Sequence, residues 1–302
     1  MTAATQTRRR RKPWGRLPPA VLALVLLPFA VEAVWVFWPA LQGVYLSFTQ
    51  WDGTGEITWV GLGNYADLFE DPVFAEALGN TAIWLVLFGG LSFIGGLAAA
   101  LFLQTERRGV TFYRMALFLP IVFSLVVSGL IWTAIFQPDG VINVVLDAVG
   151  LEHLARTWLG DPSSALYAVI VAALWRQVGY VMVLFIAGLN AIDPALLEAA
   201  RIDGANSFQR LRHIILPQLH SVNLVVLCIL VIDSLRSFDV VWAMTRGGPF
   251  HSSELLSTYM FSTAFQSRQL GYASAIAVVI FVLAIAFIIS YLANAMREEK
   301  PA

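Results

Sequence analysis

Lysine and cysteine are almost missing from this chain, and charge of either sign is scarce. Its lysines, Lys12 and Lys300, follow Arg11 and Glu299. Neither stands after glycine and before serine or threonine, so the chain holds no phosphate-cradling P-loop. The one cysteine, Cys228, lies in an apolar run, which excludes an internal disulfide and a cysteine-rich metal site. His153, His213, His220 and His251 are scattered, and no HExxH or GxSxG pattern gathers a catalytic cluster. We therefore assign no catalytic and no metal-binding residue, and expect no enzyme. Charged residues make up 13% of the chain, against about 25% in soluble domains, and the formal net charge is -1. That balance argues against disorder and offers no basic footprint for a nucleic acid.

What abounds is apolar sequence, 58% of residues, with a mean hydropathy of +0.73. A membrane-crossing helix needs about 20 apolar residues. Six stretches reach that length: 18–46, 79–104, 114–136, 165–189, 221–244 and 269–295. The expected fold is an all-α polytopic membrane protein with six transmembrane helices. The first stretch follows a basic cluster, yet it exceeds a signal-peptide core and lacks a cleavage site, so it reads as a retained anchor. Pro28 and Pro39 predict a kink in it. No internal repeat stands out.

Basic residues in short loops stay on the cytoplasmic side. They gather here as Arg8 to Arg11, Lys12 and Arg16, then Arg107, Arg108 and Arg114, then Arg201, Arg210 and Arg212, then Arg297 and Lys300. Both termini are thereby expected to be cytoplasmic. The organisation reads as a basic tail 1–17, a first helix 18–46, an outer loop 47–78, a permeating core 79–295 and a tail 296–302. The loop 47–78 carries Asp52, Glu56, Asp67, Glu70, Asp71 and Glu76 and no basic residue. Its Trp51, Trp59, Tyr65 and Phe69 suggest a short interfacial helix, serving as an aromatic belt or as a docking surface.

Between the fourth and fifth spans, 190–220 is too structured for a simple turn. Asp193-Pro194 is a helix start, Asp203-Gly204 a break, and Ser207 a candidate cap for a second helix ending near Pro217. Glu198-Ala199-Ala200, Gly204, Ile214 and Leu216-Pro217 match the spacing EAA-x3-G-x9-I-x-LP. This resembles the EAA motif of permease subunits of bacterial ABC importers. Ser237-Phe238-Asp239 with Thr245-Arg246-Gly247-Gly248-Pro249 resembles the SFD and T-x-GGP signature of the carbohydrate-uptake permeases related to the maltose transporter. Trp59 to Tyr65 and Ala187-Gly188-Leu189 extend the likeness.

The resemblance implies a multi-pass protein of the bacterial plasma (inner) membrane that works by alternating access. It also implies a partner set: a second homologous permease in a heterodimer, two ATP-binding ATPase subunits, an extracytoplasmic solute-binding protein, a sugar and the bilayer. No cofactor is expected on this chain, since ATP and Mg belong to the partner subunits. In such a loop Glu198, Ala199, Ala200, Asp203, Gly204 and Pro217 couple to the ATPase.

Ionisable residues in spans call for a cavity or a partner, which singles out Glu32, Arg176, Asp233, Arg236 and Asp239. On a continuous fifth helix Leu230, Asp233, Ser234, Ser237 and Val241 share one stripe. A sugar asks for an aromatic surface and several hydrogen-bonding side chains. The expected substrate-pathway residues are thus Trp175, Arg176, Gln177, Tyr180, Asp233, Ser234 and Ser237. By resemblance Tyr180 matches a sugar-contacting tyrosine, whereas Arg176, Gln177, Asp233 and Ser237 depart from the maltose relative. The alternative is that Arg176 with Asp233, and Arg236 with Asp239, only neutralise each other. A polyol or glycerol-phosphate-like solute, or a stand-alone secondary transporter, are the other readings.

The expected orientation is checked by cysteine labelling in a Cys228→Ser background. A cysteine at Thr54 should react with an impermeant maleimide added outside intact cells, and one at Ser207 should react only after the membrane is opened. The reverse pattern inverts the topology.

Overall fold

The computed structural model of the chain describes residues 19–104 and 109–298. The expected tail 1–17, with Arg107, Arg108 and Lys300, lies outside the described residues. The chain divides into two units, the first ending at Tyr45 and the second running from Leu46.

The first unit is helical from Pro19, with a widened turn at Ala33–Phe37 in which the Trp38 N–H reaches the Ala33 carbonyl. That turn lies just before Pro39, whose ring displaces the carbonyl four residues back. Glu32 is exposed at the turn's edge.

In the second unit, three helices are long and apolar enough to cross a membrane: Pro72–Leu103, Ala165–Asn190 and Leu270–Tyr291, as is Leu24–Leu46 at the N-terminal end. Among the described residues, six spans result only if two bent pairs each count as one. Val110–Val122 and Leu125–Ile135 meet at 105°, and Ser207–Gln218 and His220–Leu235 at 75°. The first bend falls where Pro120 lacks a donor, and the Ser124 hydroxyl accepts from the Val127 N–H to cap the next helix (3.2 Å). The second expected span begins at Pro72, not at 79, because Asp71 caps it with Oδ1 2.8 Å from the Val73 nitrogen and Pro72 takes the first helical position. Its other end is closed by Arg114, whose Nε donates to the Leu103 carbonyl (3.0 Å).

The all-α expectation needs one addition. Thr49–Gln50 and Thr58–Trp59 pair as a short antiparallel ribbon, with Thr49 opposite Trp59. Trp51 and Trp59 therefore belong to a hairpin, and only Tyr65 and Phe69 lie on a helix, Gly63–Glu70. Buried Asn64 holds the hairpin by donating from Nδ2 to the Ser47 and Thr49 carbonyls, both at 2.9 Å.

The core is built around Ala165–Asn190, with Val169, Val181, Met182 and Phe185 buried against Trp84, Phe88, Val226 and Leu230. Gly179 lets this helix touch backbone: a Cβ there would overlap the Leu117 carbonyl. Small residues permit such approach between membrane helices. A second cluster joins Leu68, Phe74 and Ala77 to Leu256, Ala275 and Ile276. Asp71 ties it together, its Oδ2 accepting from the Tyr259 and Tyr272 hydroxyls.

Two outcomes follow from this packing. Gly179→Val forces backbone apart and should cost about 3 kcal/mol, at the upper end for overpacking, read as a lowered thermal midpoint in detergent. For Asp71, burial works to raise the carboxyl, but the two tyrosine hydroxyls and the Val73 N–H outweigh it and hold it below its ordinary 3.8, while burial and that carboxylate push Tyr259 up to about 12. Stability from a lowered carboxyl is complete above the ordinary value and lost as pH falls through the folded one. The midpoint difference between wild type and Asp71→Asn should therefore hold steady from about pH 5 to 8 and shrink below about pH 4.

Candidate functional site

The expected fifth helix does not run from 221 to 244. It ends at Leu235, where the Arg236 N–H closes the last turn on Ile232, and a new helix starts at Asp239. Between them Phe238 is non-helical (φ -133°, ψ -57°). The Ser237 carbonyl, freed by the break, accepts from the Ser257 hydroxyl. Such repair by a neighbouring hydroxyl is what tolerates irregular backbone at membrane depth.

The break corrects the expected stripe. Leu230, Ser234 and Val241 are buried, and the Ser234 hydroxyl donates to the Leu230 carbonyl (2.6 Å). Ser237 and Val241 no longer continue the face that carries Asp233, because the helical register stops at Leu235.

Around the break opens a cavity of about 210 Å³. Arg176 and Gln177 from Ala165–Asn190 meet Asp233, Arg236, Ser237 and Asp239 there. Gln177 is buried and donates from Nε2 to Asp233 Oδ2 at 3.1 Å, joining two spans. The alternative pairings, Arg176 with Asp233 and Arg236 with Asp239, do not close into ion pairs within 4.0 Å among the described residues. Arg176 Nε is shut from solvent without a hydrogen-bond partner among the described residues. Two guanidinium groups and two carboxylates thus share the cavity with donors to spare. Their formal charges cancel, so the arrangement suits a ligand rich in hydroxyls, each able to donate and accept.

Of the expected pathway residues, Arg176, Gln177, Asp233 and Ser237 come together, and Trp175, Tyr180 and Ser234 do not. Trp175 packs on Phe123 and Trp132, with centroids 6.2 and 6.0 Å away. Tyr180 packs against the core. Arg236 and Asp239, singled out only as intramembrane charges, complete the lining with Phe88 and Phe238. Phe238 was visible in the sequence as part of Ser237-Phe238-Asp239.

The segment that follows is sharply turned. Arg246, Phe250 and His251 have φ of 54°, 52° and 64°, a region that costs non-glycine residues energy unless the surroundings enforce it. Gly247 (φ 84°) lies under the buried Glu254 carboxylate, which leaves no room for a side chain. Asn80 Nδ2 donates to the His251 and Glu254 carbonyls at 3.2 and 3.1 Å. His251 Nδ1 lies 3.1 Å from Glu254 Oε2.

The 190–220 segment forms two short helices as expected. Asp193 Oδ1 caps Pro194–Ile202 by accepting from the Ala195 N–H (2.9 Å). Gly204 makes the turn with φ 79°, a left-handed conformation easiest for glycine. The cap of the second helix is Asn206, not Ser207. Asn206 Oδ1 accepts from the Gln209 N–H (2.9 Å), and Gln209 Oε1 accepts from the Asn206 N–H (2.8 Å), a reciprocal pair that one hydroxyl cannot match. Glu198, Ala199, Asp203, Gly204 and Pro217 are exposed, as are apolar Leu196, Ile202 and Phe208, while Ala200 is buried.

Comparison with known proteins places this geometry in a family. The model of the family described as "Binding-protein-dependent transport system inner membrane component" matches residues 92–298. The chain is 38% identical over 267 residues to the probable ABC transporter permease protein YurN of Bacillus subtilis, covering 87% of this chain and 91% of that protein. It is 34% identical over 278 residues to the lactose transport system permease protein LacF of Rhizobium radiobacter, covering 90% and 92%. In fold it is similar to a chain in the crystal structure of a bacterial ABC transporter involved in the import of the acidic polysaccharide alginate. That likeness has a TM-score of 0.82 at 22% identity, over 93% of this chain and 96% of the other. With bent spans, a polar cavity at a helix break and the EAA loop in place, the chain belongs to the binding-protein-dependent transport system inner membrane components, as a membrane-embedded ABC transporter permease.

Proposed function

We propose that this chain forms half of the translocation pathway of an ATP-driven, binding-protein-dependent sugar importer, paired with a second, different permease. Relatives at 33–34% identity carry names for diacetylchitobiose uptake, multiple-sugar transport and lactose transport, which supports a saccharide as cargo. The charge-balanced cavity at Arg176, Gln177, Asp233 and Ser237 agrees with a neutral polyhydroxylated solute. Arg176 and Arg236 would favour a phosphorylated polyol, but Asp233 and Asp239 beside them oppose an anion.

The observation that carries the coupling reading is the shape of 190–220. Exposed Glu198, set between exposed Leu196 and Ile202, gives a short helix that an ATPase subunit can grip by charge and by apolar contact, and Gly204 holds the turn behind it. ATP and Mg reside on that subunit, whose closure then pulls on the spans attached at Asn190 and His220. The negatively charged loop 47–78 faces outward and receives the solute-binding protein. A cleft of about 600 Å³ there, lined by Trp51, Asp52, Glu56, Asp67 and Arg268, offers the seat.

Two measurements test this. Affinity purification of the chain from its native membrane in mild detergent should bring down a second permease, an ATPase and a solute-binding protein. Recovery of the chain alone, where a known importer stays assembled, sinks the reading in favour of a secondary transporter. In the reconstituted complex, Gly204→Leu should leave ATP hydrolysis within about twofold while abolishing sugar uptake; undiminished uptake by an intact mutant complex would remove the loop from coupling.

A further inference from the structure

The outer cleft and the helix-break cavity belong to different parts of the chain, yet a run of direct contacts joins them. The hairpin that walls the cleft rests on the first turn of the last helix with no side chain between. The Gly271 N–H donates to the Trp51 carbonyl at 3.2 Å, and a Cβ on Gly271 would overlap the Thr49 carbonyl. Trp51 and Tyr272 both line the cleft. The Tyr272 hydroxyl donates to Asp71 Oδ2 at 2.9 Å, and the Tyr259 hydroxyl donates to the same oxygen. Tyr259 shares the short helix Leu256–Phe261 with Ser257. Ser257 donates to the Ser237 carbonyl, and Ser237 lines the cavity.

The joints on the cleft side of this run are stiff. Backbone lies on backbone at Gly271, where no rotamer can absorb a displacement. One carboxylate oxygen takes both tyrosines, so moving one ring disturbs the bond of the other. The helix that carries Tyr259 and Ser257 has only 6 residues, and its Leu256 N–H is fixed to Thr81 Oγ1 at 3.0 Å. The cavity end is different, because Ser237 and Phe238 lie outside any helix and residues at the ends of elements are the ones that absorb backbone rotation. Coupling between distant sites runs through hydrogen-bond networks and rigid elements that end on such a part. Packing alone asks for less, since phenylalanine would fill the space of Tyr259 and Tyr272 in the second apolar cluster.

We propose that Asp71 is a positioning residue for transport. Through Tyr272 and Tyr259 it carries the seating of the binding protein in the outer cleft to Ser257, which resets the Ser237 carbonyl and with it the cavity at the break. This rests on the reading of the cleft as the binding protein's seat, and the test separates the two.

The assembled transporter, with both permeases and ATPases in nanodiscs, is titrated with its sugar-loaded binding protein. Affinity is read without nucleotide and hydrolysis with ATP. Wild type should hydrolyse ATP faster as the binding protein seats. Tyr259→Phe and Ser257→Ala each remove one hydroxyl and keep the packing. Both should leave basal hydrolysis and binding-protein affinity within about twofold, and each should cut the stimulation about fivefold, the factor that one hydrogen bond carries. Because the contacts act in series, the double variant should lose no more than either single one, whereas two independent bonds multiply to about twenty-fivefold. Asp67→Arg, in the cleft wall, should weaken binding-protein affinity about tenfold. Unchanged affinity in Asp67→Arg removes the seat and the linkage together. With the seat confirmed, the linkage alone is refuted if wild type binds without stimulation, if either single variant is stimulated like wild type, or if the double variant loses the product of both factors. Loss of basal hydrolysis or of affinity in the single variants refutes it too, since the bonds then only hold the fold.

Discussion

Hydrocarbon offers a peptide group no hydrogen-bond partner, so a helix that stops inside a membrane must find replacements within the protein. At the stop after Leu235 the Ser257 hydroxyl supplies such a replacement by donating to the carbonyl of Ser237. Much else depends on that repair. Because the chain can leave the helix there, Arg236, Ser237 and Asp239 swing beside Arg176, Gln177 and Asp233 rather than lining a straight stripe. An uninterrupted helix would have kept Ser237 in register with buried Ser234 and left no cavity between them.

The repaired segment would be free to shift were it not fastened to the second span. Asn80 binds the carbonyls of His251 and Glu254, and Thr81 Oγ1 accepts from the Leu256 N–H at 3.0 Å. Asp71, at the head of the same helix, holds Tyr259 and Tyr272. These bonds make Pro72–Leu103, the turn at Gly247 and the start of the last helix a braced frame. An alternating-access protein needs parts that move as bodies, and such bracing defines one.

Local features were legible because their causes are local. Asp193-Pro194 capped a helix and Gly204 turned the chain, since both effects act within a few residues of their origin. Ser207 misled because Asn206 and Gln209 cap reciprocally, and a two-residue partnership outcompetes a single hydroxyl. The long apolar runs 165–189 and 269–295 coincide with helices to within a few residues, whereas the run from 79 begins inside the helix that Asp71 caps, Pro120 with Ser124 bent another and the Arg236 break cut a third. Apolar composition says that a segment is buried in lipid or protein, not that it is straight. Intramembrane charge singled out Arg176, Asp233, Arg236 and Asp239, which line one cavity, and also Glu32, which is exposed on the first helix. Aromatic character alone did not separate Phe238, at the cavity, from Trp175, packed on Phe123 and Trp132.

Composition and motif spacing by themselves determined that the chain lives in a membrane and carries the EAA spacing of its family, because each is a property of residue type or of near neighbours. Only the tertiary structure decided where the fifth span breaks, that Gln177 rather than Arg176 reaches Asp233, and which rings border the polar cavity. Those outcomes join residues such as Gln177 and Asp233, or Ser237 and Ser257, from different helices. Their meeting is set by how closely the helices pack at positions like Gly179, and no pattern within a single helix encodes it.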